Sequence, residues 1–261
     1  MTNRNINLWI IIVLILVQGC AKNKDAITPS TEGNEIYLRV ESSKIRWDVI
    51  GESVEGRDIY KADYGKGDSL TLIIGGFHGA EIRGAELALT FAEYLNAQKD
   101  LELKERVIII PVLNPDGLIR QERLNAHGVD INRNFPTKNW TSEARGPRYN
   151  PGTAPASEPE TKLIMAMLDQ YQPQRIISIH SPLEMVNYDG PGRDLAEKMA
   201  VHTGYPVSGD IGYPTPGSFG NYAGVEKNIP TITLELPHGS FASMWEANRD
   251  ALLAAIRFVE H

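Results

Sequence analysis

The chain holds one cysteine, Cys20, in 261 residues. A lone thiol closes no intrachain disulfide and builds no cysteine-rich zinc site, so any metal must be held by His, Asp or Glu. Positive charge is also scarce. Lys and Arg number 26 against 33 Asp and Glu, a formal net charge of −7. Phosphate backbones reward a basic surface, so nucleic acid is not an expected partner. Long apolar runs are missing too: the longest, residues 8–17, has ten residues, whereas a membrane-spanning helix needs about 20. There is no internal repeat or low-complexity tract. The proportions of hydrophobic (42%) and charged (23%) residues are those of a globular chain and exclude a disordered or polytopic membrane protein.

The short apolar run follows Arg4 and ends in Val17-Gln18-Gly19-Cys20, which reads as the core of a secretory signal. A small residue before Cys resembles a bacterial lipobox, in which Cys20 is acylated and becomes the mature N-terminus, although Gln18 is untypical there. An uncleaved anchor with an incidental Cys is the alternative, and both readings put the domain outside the cytoplasm. Ala21 rather than Asp after Cys20 resembles an outer-membrane lipoprotein of a diderm cell. The expected organisation is a signal over 1–20, a polar tether over 21–35 and a folded domain over 36–261.

Past the tether, short β-rich runs alternate with helical patterns, the signature of an α/β domain. Strands are expected over 58–64, 70–74, 107–112, 176–179 and 231–236. Leu87, Phe91, Tyr94 and Leu95 mark one helix. Ser157-Glu158-Pro159-Glu160 has capping-box form before a second, and Trp245, Leu252, Ile256 and Val259 give a last helix one apolar face. Residues 136–156 contain four prolines and little periodicity, and a loop that long in a compact domain is usually functional.

Open α/β sheets bind ligands beyond the carboxyl ends of their strands. Three expected strands run into polar, metal-type residues: 70–74 leads to His78 and Glu81, 176–179 to His180, and 231–234 to Glu235. His78 and Glu81 at i, i+3 share one face of a helix start, and with His180 they form a His₂Glu set of the kind catalytic zinc uses. Alone, a His-x-x-Glu is more often a solvated helix start, and His180 a satisfied buried histidine. Glu235 sits inside an apolar strand, where an unpaired carboxylate is costly. It is either a general base or the partner of an arginine. Residues 123–136 are rich in Asn, Asp and Arg, able to fork a substrate carboxylate or to order a loop by Asp–Arg pairs.

Taken in order, His78-x-x-Glu81, Asn114-Pro115-Asp116-Gly117, Arg123, Gly128-Val129-Asp130-Ile131-Asn132-Arg133-Asn134-Phe135, His180-Ser181 and Glu235-Leu236 resemble the zinc metallocarboxypeptidases. Further stretches are similar to their murein peptide amidase A branch: Ile50-Gly51-Glu52-Ser53 with Glu55-Gly56-Arg57, residues 155–161, Tyr188-Asp189-Gly190 and residues 212–218. The resemblance implies a single carboxypeptidase-like domain whose mixed, mostly parallel sheet is flanked by helices, with one Zn²⁺ on His78, Glu81 and His180. It implies Glu235 as the base toward the metal water, Arg123 as the oxyanion partner, Asn132 and Arg133 as the substrate-carboxylate clamp, and Asp130 as the acid that orients His78. Tyr213, in a Gly/Pro-rich stretch, is equally a mobile lid or a packed turn residue.

The expected activity is hydrolysis of the γ-D-glutamyl–meso-diaminopimelate bond of peptidoglycan peptides by a lipid-anchored enzyme. The alternatives are a carboxypeptidase acting on ordinary peptides, or a non-catalytic cell-wall-binding lipoprotein. The amidases of that branch look cytoplasmic, whereas this chain carries an export signal.

Overall fold

The computed structural model describes residues 31–98 and 103–259. Cys20 and the signal expected over 1–20 lie outside the described residues. Eight strands form one sheet: β1 (Asp48–Glu52), β2 (Asp58–Tyr64), β3 (Leu70–Ile74), β4 (Arg106–Ile110), β5 (Arg175–His180), β6 (Met185–Asp189), β7 (Val207–Ser208) and β8 (Thr231–Glu235). Their order is β1-β2-β4-β3-β5-β8-β6-β7. The central strands β4, β3, β5 and β8 run parallel, while β1/β2, β2/β4 and β6/β8 are antiparallel. This is the mixed, centrally parallel sheet that the sequence implies.

The central strands carry no alternation because both faces are covered. Every residue of β3 and β5 is buried, as expected for parallel strands between helical layers. Helices α2 (Ile82–Ala97), α5 (Arg193–Thr203) and α6 (Phe241–Ile256) belong to one side, where Leu87, Phe91, Leu252 and Ile256 pack with Ile177 and Ile232. On the other side Ile164 of α4 (Pro159–Tyr171) packs with Phe77, Phe135 and Phe219 against Leu72, Ile108 and Ile176. The cluster of three rings seals the floor beneath the strand ends.

The structure departs from the sequence expectations in several places. Helix α1 (Glu32–Ser42), which packs on the short helix α3 (Pro115–Arg120), occupies residues expected in the tether: Thr31 caps it by accepting from Asn34 N–H at 3.1 Å and donates to Ile119 O at 2.9 Å. The folded domain therefore includes residues from Thr31 onward. Strand β4 stops at Ile110, not 112, because Pro111 has no N–H for the ladder. The capping box does not form. Glu158 is the N-cap without a side-chain cap bond, and Ser157 Oγ instead donates to Glu158 Oε1 while Glu160 accepts from Val54 N–H and Asn125. Val259 lies past the end of α6 and is exposed. Strands β1, β6 and β7 were not anticipated.

Helix α2 approaches the sheet through Gly84, where an added Cβ would stand 2.6 Å from Ile179 O. That contact fixes the start of α2 against the end of β5. Gly84→Ala should destabilise the protein by about 1–3 kcal/mol, the usual cost of overpacking, seen as a lower midpoint in urea with an unchanged slope. An unchanged midpoint would show that α2 is free to move off β5.

Candidate metal centre and substrate cleft

Strand ends assemble the site. Beyond β3 the chain turns at Gly76, in a left-handed conformation with φ 64°, and delivers His78 and Glu81 at the start of α2. His180 is the last residue of β5 and Glu235 the last of β8, and the two are direct register partners. A ligand-type imidazole and a candidate base are thus set side by side by backbone pairing alone.

His78 Nδ1 lies 2.8 Å from Glu81 Oε1 and 3.2 Å from His180 Nδ1, and His180 Nδ1 lies 3.0 Å from Glu81 Oε2. His78 Nε2 sits 3.0 Å from Asp130 Oδ1. A carboxylate there holds the ring proton on Nε2, so Nδ1 presents a lone pair to Glu81 and His180. Two imidazole nitrogens and a carboxylate thus converge within hydrogen-bond range on one point, a geometry that a shared cation stabilises. All three ligand atoms lie within 4.8 Å of one another, and both histidines are buried. The donor set fits zinc, for which His₂Glu with an open position is a catalytic arrangement.

Asp130 is fully buried. Burial pushes its carboxyl up, but His78, Arg123 and Arg133 outweigh that and hold it below the usual carboxylate range. It accepts from Arg123 Nε at 3.0 Å and Nη2 at 2.9 Å, and Arg123 Nη1 donates to Glu81 Oε1 at 3.0 Å. Arg123 is therefore seated on the ligand cluster, with its guanidinium lining the cleft. Asn132 Oδ1 accepts from Phe219 N–H at 2.8 Å, which leaves its amide nitrogen as the donor available to the cleft. Arg133 is buried and its guanidinium donates to Asn132 O, at 2.6 Å, with no carboxylate partner among the described residues. Burial lowers its pKa, the condition of a cation poised for an anion. Glu235, 8% exposed, accepts from Leu183 N–H at 3.4 Å. It has no arginine partner among the described residues, and burial pushes its carboxyl above the ordinary glutamate value, aided by Glu81 and opposed by His180.

One cavity of about 460 Å³ is lined by all of these except Asp130, which stands behind His78. Tyr213 also lines it, with Arg145 5.5 Å from its ring centroid. His127 pairs instead with Glu158, at 2.7 Å.

Sequence reasoning gave the inner wall no role, although Asp189 stands in a stretch similar to the amidase branch. Asn187 and Asp189 of β6 and Thr233 of β8 line the same cavity. Asn187 Nδ2 is taken by Ser208 O, but the Asp189 carboxylate has no hydrogen-bond or ion-pair partner among the described residues, and burial alone pushes its carboxyl up to about 6. Asp189 pairs with Thr231 and Met185 with Glu235, so Asp189 lies four residues from the candidate base, about 13 Å along a strand. Polar residues at alternating positions 187 and 189 were the available signal: together they mark one wet strand face.

A family model for zinc carboxypeptidases matches residues 38–192. Glu235 lies beyond that span and is placed by the sheet. Murein peptide amidase A of Vibrio campbellii is 33% identical over 222 residues, covering 79% of this chain and 86% of that protein. Mouse carboxypeptidase D is 29% identical over 199 residues, 66% of this chain and 14% of that protein. Among solved structures, murein-tripeptide amidase from Escherichia coli O157 superposes with a TM-score of 0.69 at 27% identity, covering 85% of this chain and 97% of that one. Bovine thrombin-activatable fibrinolysis inhibitor shares the fold, with a TM-score of 0.72 at 23% identity over 86% and 94% of the two chains. With its His₂Glu cluster at the ends of β3 and β5, this chain belongs to the zinc carboxypeptidase family.

Proposed function

We propose that the chain is a zinc amidase that hydrolyses the γ-D-glutamyl–meso-diaminopimelate bond of murein peptides. The observation that carries a cationic leaving residue is the partnerless Asp189 carboxylate on a polar inner wall, and the likeness to murein amidases narrows that residue to diaminopimelate. A carboxypeptidase for apolar residues needs an apolar floor at that depth. The diaminopimelate side chain instead ends in an ammonium and a carboxylate, and its ammonium supplies the partner that Asp189 lacks. Likeness to two murein amidases supports the same reading.

The residues divide the work. Arg133 and the Asn132 amide bind the free carboxylate of the leaving residue and set its register. His78, Glu81 and His180 hold the zinc, which supplies Lewis acidity to water and to a carbonyl oxygen alike. Glu235, with its raised pKa, takes the proton of the attacking water and passes it to the leaving nitrogen. Arg123 donates to the carbonyl oxygen as negative charge grows on it. Asp130 keeps His78 in the tautomer that the metal requires.

We also propose that the enzyme acts outside the cytoplasm, tied to a membrane by acylated Cys20. The support is the short apolar run ending in Gly19-Cys20. Cys20→Ser should abolish palmitate labelling and move the protein from the membrane to the soluble fraction. An unlabelled wild-type protein would contradict the anchor.

Glu235→Gln should lower kcat by about 10²–10⁴-fold, the range for a lost general base, while zinc content stays the same. Because protonated Glu235 cannot accept a proton, kcat/KM should rise with pH through an acid limb above the ordinary glutamate range. A limb within that range, or activity surviving in the variant, would remove Glu235 from this role.

Mass spectrometry of digests should show free diaminopimelate released from purified muropeptides and no trimming of ordinary peptides. The reverse result would make the enzyme a general carboxypeptidase. Asp189→Asn should cost about 10-fold or more in kcat/KM on diaminopimelate-ended substrate, as for a charge-assisted hydrogen bond, and far less on a norleucine-ended analogue. Equal losses on both would contradict the pairing.

A further inference from the structure

The ring of Tyr149 collects three guanidiniums: Arg123 at 5.4 Å, Arg133 at 5.5 Å and Arg148 at 5.3 Å from its centroid. An aromatic face stabilises neighbouring cations, so the three are held close despite their like charge. Two are accounted for. Arg123 is bound to Glu81 and Asp130, and Arg133 faces the leaving residue's carboxylate. Arg148 has no carboxylate partner among the described residues.

Its position gives it a direction. Arg148 lines the main cavity and also an adjoining one of about 380 Å³. The second cavity shares Glu81, Arg123, Ser181 and Pro182 with the first but touches none of Asn132, Arg133, Asp189 or Tyr213. It therefore extends from the metal ligands away from the leaving-group end, where the acyl half of a substrate must lie. Arg83 also borders it but is already paired with Glu32 and Glu86.

The two kinds of scissile bond differ on that side. In an α-peptide the acyl residue carries only a neutral amide nitrogen and its side chain. In a γ-glutamyl amide the scissile carbonyl belongs to the side chain, so the residue's own α-carboxylate is left free, four carbon–carbon bonds from the scissile carbon. We infer that Arg148 is a specificity residue that receives the free α-carboxylate of a γ-linked glutamyl residue on the acyl side of the cleft. The inference rests on the amidase reading above and deepens it: Asp189 reads the leaving half of the substrate, Arg148 the acyl half.

The test uses the full chain and two synthetic tripeptides, L-alanyl-γ-D-glutamyl-meso-diaminopimelate and its isoglutamine counterpart, in which that α-carboxylate is a carboxamide. Wild-type protein should prefer the carboxylate by about fivefold in kcat/KM, the upper end for an exposed ion pair, expressed in KM and shrinking with added salt. Arg148→Gln should bring the ratio close to one, and Arg148→Lys should keep part of it. Because both substrates meet the same protein, a general loss of folding lowers both rates and leaves the ratio alone. A wild-type ratio near one, or a preference undiminished in Arg148→Gln, overturns the role of Arg148 while leaving the amidase intact. Cleavage of neither tripeptide, with an α-linked peptide cleaved instead, overturns the amidase reading and this inference with it.

Discussion

Two imidazole nitrogens 3.2 Å apart, each with an oxygen of the same carboxylate at 2.8 or 3.0 Å, form one cluster. Three electron-rich groups converge in a buried place where the dielectric gives little relief. A metal ion at their focus suits all three, and Asp130 beside His78 Nε2 leaves Nδ1 turned toward the other two. The rest of the site is arranged around that enforced convergence. Gly84 lets α2 sit against β5 closely enough to bring Glu81 to His180, and the β5–β8 register sets Glu235 beside His180.

Charge in the cleft is distributed along a line. Guanidiniums already bound to carboxylates, such as Arg123, stiffen the ligand cluster. Groups left without partners mark where a substrate must bring its own charges. Arg133 and Asp189 stand toward the leaving half and Arg148 toward the acyl half. Arg133 is buried and Asp189 partly so, a cost to the folded protein that a complementary substrate recovers, whereas Arg148 is exposed and carries no such cost. This is a familiar trade at active sites, where stability yields to recognition.

The core of this architecture was readable from the amino-acid order because parallel buried strands leave continuous apolar runs, and ligands fall where those runs stop. His78, Glu81, His180 and Glu235 were legible on that ground. The substrate side was less so. Strand β6 interrupts its apolar pattern with Asn187 and Asp189, since that face lines water and substrate rather than core. Helix α1 was hidden because its buried residues Ile36, Tyr37 and Val40 occupy a single turn behind a polar start. The capping pattern at 157–160 misled because the buried loop around Asn125 and Asn134 claims the same side chains. Tertiary hydrogen bonding there overrides a local motif. Arg148 and Tyr149 lie in a loop without periodicity, and only the folded chain brings them to the cleft.

The central claim is that His78, Glu81 and His180 bind one zinc ion. Zinc-edge X-ray absorption on the purified protein tests it most directly. The account predicts one zinc per chain, with two imidazole nitrogens at about 2.0–2.1 Å and carboxylate oxygen at about 2.0–2.2 Å, and loss of one imidazole contribution in His180→Ala. A protein without bound zinc, or a spectrum unchanged when His180 is removed, would contradict it.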